Sequence, residues 1–297
     1  MAVLVSAGRR GRPAAPSRRR AAGRRTAGRS LTHLLLLGGG LLWLFPFLWT
    51  LGSSLKSPDG FFSKGLNPLP DGVHAGNYRS AWQQASFGRY FLNTVLISGG
   101  CVVLVLVATS MAGYVLARTD FPGRKTCIGL ISVTLFLPHG YTIIPIFDIV
   151  RGLHLLNTVW AVIIVQASSG LVFATFLFMG YFSTMDRQIE DAARVDGASF
   201  HQTFWRVMLP LSGPMLATVG LFTCISAWNS FFIPLVFTLS KPELRTLPVG
   251  MYSFIGQNST DWTFLCAGSV ISLVPIVVIF LLLQRYFVNG LAGAVKG

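Results

Sequence analysis

Six long apolar stretches, separated by short polar ones, set the strongest limit on what this chain can fold into. They run roughly over 31–55, 89–117, 126–150, 158–182, 212–236 and 264–287. Each is long enough for about 20 helical residues to cross about 30 Å of hydrocarbon. In that solvent a helix satisfies its own backbone polar groups, so the pattern predicts an all-α integral membrane protein with six transmembrane helices. Composition agrees: 52% of the 297 residues are hydrophobic and only 11% are charged, against about 25% charged in an average soluble domain.

The net charge of +14 would suit nucleic acid, but its placement argues for topology and no nucleic-acid partner is expected. Nine basic residues precede position 30, in an Arg-, Ala- and Gly-rich tail whose composition predicts disorder. With that tail inside the cell, 17 of the 24 Lys and Arg residues fall on inner segments. The positive-inside rule then places both termini and the 183–214 segment in the cytoplasm of a multi-pass plasma-membrane protein, bathed in lipid. The chain divides into the tail (1–30), a first span with a polar outer loop (31–88), a five-span core (89–287) and a short C-terminal tail (288–297).

Between the fourth and fifth stretches lies the longest strongly polar segment after the tail, Ser183 to Pro214. A weak Ser183-x-x-Asp186 capping box predicts the start of one short helix, and Ile189, Ala192, Ala193 and Asp196 share its face. Gly197 suits a left-handed helix end. A better box, Ser199-x-x-Gln202, opens a second helix with the apolar stripe Phe200, Phe204, Val207 and Leu211, which Pro210 is expected to end. The result is a helix–Gly–helix hairpin with an Ala-lined face, fitted to be gripped from outside the membrane.

Chemistry is sparse. There is no phosphate-binding Gly-Lys loop, no HExxH, no GxSxG and no CxxC; Cys101, Cys127, Cys224 and Cys266 read as small buried hydrophobes. No catalysis is expected of this chain alone. A self-contained ion-coupled carrier, the alternative class, needs acids deep in its spans. Here Asp148 alone falls within a stretch, near its outer end. Thr223, Ser226, Trp228, Asn229 and Ser230 are possible pathway residues, although hydroxyl and amide groups in membrane helices serve more often as packing glue.

The hairpin also carries a recognisable string. Asp191-Ala192-Ala193, three residues, Gly197, nine residues and then Val207-Met208-Leu209-Pro210 resemble the EAA motif of binding-protein-dependent ABC importer permeases, with Asp for Glu and Val for Ile. Tyr114 to Arg118, Phe121-Pro-Gly-Arg124, Asn77-Tyr78, Asn93-Thr94, Asn157-Thr158 and Asp196-Gly197-Ala198-Ser199 extend the resemblance to the carbohydrate-uptake, MalG-like subgroup. The resemblance implies a cytoplasmic coupling hairpin between the fourth and fifth spans. Its ATPase-docking residues would be Glu190, Asp191, Ala192, Ala193, Asp196, Gly197, Ala198, Ser199, Leu209 and Pro210. It also implies a second permease subunit in a heterodimer, a cytoplasmic ATPase dimer that binds the ATP and Mg, an extracytoplasmic solute-binding protein, and a sugar as cargo. No cofactor is expected on this chain.

Overall fold

The structure is a computed structural model. It describes the backbone of residues 18–84, 86–136, 142–256 and 260–294, and the side chains within 32–284 of these except residue 84. The described residues are helical apart from turns and one isolated β-bridge between Ile255 and Thr260.

Helix α1 (Arg18–Ser53) starts well before the predicted edge of the tail. Arg and Ala are good helix formers, and no Pro follows Pro16 until Pro46 within the span. The polar loop that follows holds α2 (Pro58–Ser63) and α3 (Gly76–Gln84). The second stretch is a single helix, α4 (Phe87–Arg118). In the third, α5 (Arg124–Thr134) and α6 (Ile143–Gly152) are described on either side of 137–141, which lies outside the described residues. The fourth is α7 (Val159–Thr184), whose N-cap Thr158 accepts from the Ala161 amide at 3.2 Å.

The hairpin follows as α8 (Arg187–Val195), α9 (Phe200–Thr203), a π-turn over Phe204–Met208 and α10 (Leu209–Leu211). The fifth stretch begins as α11 (Gly213–Trp228), stops at Asn229–Phe231 and resumes as α12 (Phe232–Phe237). A second long polar loop carries α13 (Leu247–Met251). The last helix, α14 (Trp262–Ala294), runs through the predicted end of the sixth span and through most of the expected C-terminal tail.

Among the described residues, four helices are long and apolar enough to cross a membrane, and a fifth crossing appears if Phe200–Leu211 and Gly213–Trp228, bent by 76°, are counted as one. The expected six transmembrane helices are not confirmed among the described residues: the third stretch is described as two short helices, and the fifth is bent at Ser212 and stops at Asn229.

α4, α7 and α11 form the centre. Lipid tails are as apolar as Leu, so association depends on close packing by small residues. Thr109, Gly113 and Ala117 recur every four residues on the α7 side of α4. A Cβ on Gly113 would lie 2.6 Å from Phe178 Cβ and 2.8 Å from the Met179 nitrogen, so here the helices touch nearly backbone to backbone. Cys101, fully buried, donates to the Ile163 carbonyl at 3.5 Å. A smaller cluster joins Phe87, Trp228, Leu247, Phe254 and Ala267. The apolar length of α1 is exposed along its first two-thirds and leans on α14 only near its end.

The two long polar loops are fixed by hydrogen bonds. Asn93 donates to the Glu243 and Arg245 carbonyls at 2.8 and 2.9 Å, and Thr94 accepts from the Leu247 amide at 2.9 Å. These bonds staple the second loop to α4. In the first loop, buried Lys56 donates to the Asn67 carbonyl at 2.7 Å and lies over Trp49. Asp71 accepts from both the hydroxyl and the amide of Ser57, which hold its carboxyl down at about 2.

Candidate functional site

The hairpin starts three residues later than Ser183 predicts. Ser183 still belongs to α7, its hydroxyl donating to the Gly180 carbonyl at 2.6 Å. Asp186 is the cap instead, accepting from the Gln188 amide at 3.0 Å. α8 stops as expected: Gly197 sits at φ +83°, its amide reaches the Arg194 carbonyl, and the Ala198 amide reaches Ala193. This double closure is a Schellman stop, which glycine enters without a Cβ penalty. Ser199 and Gln202 form the predicted reciprocal capping box, at 3.3 and 2.8 Å.

Beyond the box the structure departs from the predicted stripe. Phe204 and Met208 are buried, whereas Phe200 and Leu211 are exposed. The cause is the π-turn, in which the Leu209 amide bonds to the Phe204 carbonyl. Pro210 has no N–H to give to the Arg206 carbonyl and its ring crowds that oxygen, so the ladder widens. The wider turn carries Met208, not Val207, onto the buried side. Pro210 therefore reshapes this helix without ending it; the chain turns at Ser212, whose hydroxyl donates to the Leu209 carbonyl at 2.7 Å.

The expected docking residues divide between two faces. Asp191, Ala192, Asp196, Gly197 and Ser199 are exposed, with Val195 beside them at 88% exposure. Asp191 meets Arg194 at 3.7 Å, an exposed pair that contributes little. Ala198 is half-buried, and it lines a recess of about 360 Å³ with Ala193, Asp196, Gly197, Gln202 and Arg206. Pro210 is exposed and Leu209 packs on the core. Glu190 and Ala193 point inward, at 5% and 8% exposure, so the carboxylate expected on the outer face is withdrawn from it.

Glu190 faces Arg118, the last residue of α4: Nε lies 3.2 Å from Oε1, and both side chains are almost wholly covered. The Nε–H is not aimed at that oxygen, so charge more than directed hydrogen bonding holds the contact. Arg118 Nη2 also donates to the Met185 carbonyl at 2.5 Å. One turn earlier, Tyr114 packs its ring against Phe182, Phe200 and Phe204, with centroids 5.1–5.4 Å away. Sequence reasoning placed Tyr114 and Arg118 only in a motif. Their opposite number on α8 was visible as a charge, but nothing in the spacing showed that the two would meet.

Two adjoining cavities lie along α7. One, about 230 Å³, is bounded by Val105 on α4, by Gln166, Ser169 and Phe173 on α7, and by Thr223 and Ser226 on α11. Gln166 Oε1 is buried there without a hydrogen-bond partner. The other, about 580 Å³, shares Ser169 and opens at the α11–α12 break beside Ser168, Ser230, Phe231 and Phe232. Of the suggested pathway residues, Thr223, Ser226 and Ser230 reach a cavity. Trp228 instead donates to the Ser272 carbonyl on α14 at 3.0 Å, and Asn229 bonds back to Ile225. Asp148 is exposed on α6. Gln166 was missed because a single amide in an apolar run carries no motif.

The described residues thus form a bundle of long apolar helices with a stopped polar hairpin and a cavity between the central helices. The chain belongs to the family described as binding-protein-dependent transport system inner membrane component, whose signature matches residues 109–293. It is accordingly a transport permease subunit and not an enzyme. It is 32% identical over 254 residues to the melibiose/raffinose/stachyose import permease protein MelC of Bacillus subtilis, covering 85% of this chain and 91% of that one. It is 34% identical over 261 residues to the arabinooligosaccharides transport system permease protein AraQ of the same organism, covering 86% and 92%. Among solved structures it resembles a bacterial ABC transporter involved in the import of the acidic polysaccharide alginate. That match has a TM-score of 0.77 and 25% identity, covering 93% of this chain and all of the other.

Proposed function

We propose that this chain is one of two membrane subunits of an ATP-driven importer that takes up an oligosaccharide handed over by an extracytoplasmic binding protein. The hairpin is its engine mount. It lies on the cytoplasmic side of the plasma membrane, and a groove of one ATPase subunit, which carries the ATP and Mg, receives the exposed side of α8 and the Gly197 turn. A second permease subunit and its ATPase complete the assembly. The observation that carries this reading is the division of α8 into two faces: Glu190 and Ala193 are inward, while Ala192, Val195 and Asp196 are outward beside a glycine stop. A small apolar knob with no cover of its own on a polar hairpin suits a protein groove.

The cavities along α7 supply the cargo side of the reading. Aromatic rings, hydroxyls and an unpaired amide oxygen suit sugar rings and their hydroxyls. Broken helices at membrane depth occur where they line a cavity, and the α11–α12 break does so. The names of the relatives point to oligosaccharides as the class.

The test is co-expression with the neighbouring permease, ATPase and binding-protein genes, followed by uptake of a panel of labelled oligosaccharides. Val195→Asp and Ala192→Glu are the variants of choice because both positions are exposed and the fold can keep them. The expected result is loss of uptake together with loss of ATPase from the purified complex. Full uptake and full ATPase recovery in both variants would sink the docking assignment.

A further inference from the structure

We propose that Arg118 is a positioning residue that transmits movement of the hairpin into α4, and that its contact with Glu190 makes the hairpin and that span move as one body. The proposal rests on the importer reading and adds a route by which docking reaches the cavity.

By sequence the hairpin is joined only to α7 and α11. The structure attaches it to a third helix. Arg118 closes on Glu190 of α8 at 3.2 Å and on the carbonyl of Met185, the residue between α7 and the cap of α8, at 2.5 Å. Tyr114 wedges among rings from α7, α9 and the π-turn. The end of α4 therefore touches α8, α9 and the π-turn of the hairpin.

At its other side α4 reaches the cavity. Val105 lines it, thirteen residues before Arg118, a separation of about 20 Å along a stiff helix. Arg124 secures the same end from the far side, its Nε donating to the Leu116 carbonyl at 2.7 Å. A displacement of α8 thus pulls directly on a helix that bounds the cavity.

The electrostatics favour a mechanical role over a purely stabilising one. A buried ion pair is replaced by apolar residues at little or no cost to stability, whereas removing one partner strands the other. The Nε–H is misaligned with Oε1 here, which leaves this contact room to tighten when the hairpin shifts.

The experiment uses the complete transporter reconstituted in vesicles with its ATPase, second permease and binding protein. Sugar transported per ATP hydrolysed is measured for wild type, Arg118→Met, the apolar pair Arg118→Met with Glu190→Met, and the reversed pair Arg118→Glu with Glu190→Arg. The expected result is that the apolar pair assembles with wild-type ATPase content but transports about tenfold less sugar per ATP, a coupling loss within the usual range. The reversed pair should recover part of that loss. If the apolar pair keeps the wild-type ratio, the proposal is overturned. If the ATPase is lost from the apolar pair, the contact serves only to shape the docking surface, and the proposal is equally overturned. If wild-type complex never retains an ATPase, the importer reading itself fails, and it fails before any variant is compared.

Discussion

Three glycines on α4 should respond to alanine in a fixed order, because each faces a different kind of neighbour. At Gly99 an added Cβ meets nothing within 4 Å. Alanine there gains helix propensity of up to about 1 kcal/mol. At Gly100 it would lie 2.6 Å from Ile163 Cδ1. That atom is the end of a side chain and can swing aside at a cost of about 0.5–1.5 kcal/mol, which roughly cancels the propensity gain. At Gly113 it would meet Phe178 Cβ at 2.6 Å, the Met179 nitrogen at 2.8 Å and the Phe178 carbonyl carbon at 3.0 Å. These atoms move only if α7 moves. Overpacking of this kind costs about 1–3 kcal/mol; taking the upper end and subtracting the propensity gain leaves about 2 kcal/mol lost. Cys101 is a built-in reporter, fully buried at the same helix pair. In a background with Cys127, Cys224 and Cys266 replaced, its maleimide labelling in mild detergent reads the opening of α4 from α7. Labelling should be fastest for Gly113→Ala, near wild type for Gly100→Ala and slowest for Gly99→Ala. If Gly113→Ala labels no faster than Gly99→Ala, the backbone-to-backbone account of this crossing is wrong.

Two further outcomes are expected in the polar loops. Asn93→Leu strands the Glu243 and Arg245 carbonyls, a loss of about 1–3 kcal/mol for groups left unpaired. Hydrogen exchange in 242–251 should then quicken; unchanged protection would refute the staple. Asp71, whose folded value of about 2 lies below the ordinary 3.8, stabilises its loop when ionised. That contribution is fully present above about pH 4 and disappears as pH falls towards 2. Proteolysis of the 57–71 loop by an acid-active protease should rise over that window and lose its pH dependence in Asp71→Asn. A wild-type loop cut equally at both ends of the window would contradict this.

The hairpin was legible in sequence wherever local chemistry decides conformation. A capping box, a positive-φ glycine and the spacing between them are short-range features, and Ser199, Gln202 and Gly197 behave as their types predict. The start falls at Asp186 and not at Ser183 because α7 continues through Ser183 to Thr184. The π-turn was not legible: Pro210 signalled an ending, and whether a helix stops or widens at proline depends on what surrounds it. The stop of the fifth stretch at Asn229–Phe231 was not legible, because hydropathy averages over a short break in an apolar run. Neither Gln166 nor the meeting of Arg118 with Glu190 was legible. Both depend on residues from different helices, and pattern within one segment does not encode that distance.

The turn at Phe204–Met208 holds one residue more than an α-helical turn would. A residue of surplus amounts to about 100° of rotation about the helix axis. The two ends of this segment, the capping box and the fifth span, are therefore out of phase by that angle. If the surplus moved along the helix by one turn, each amide would exchange one carbonyl for its neighbour, and the part passed over would rotate without bending. At Pro210 there is no amide to exchange. The fold thus joins the hairpin to α11 through an out-of-phase turn and not through a continuous α-helix.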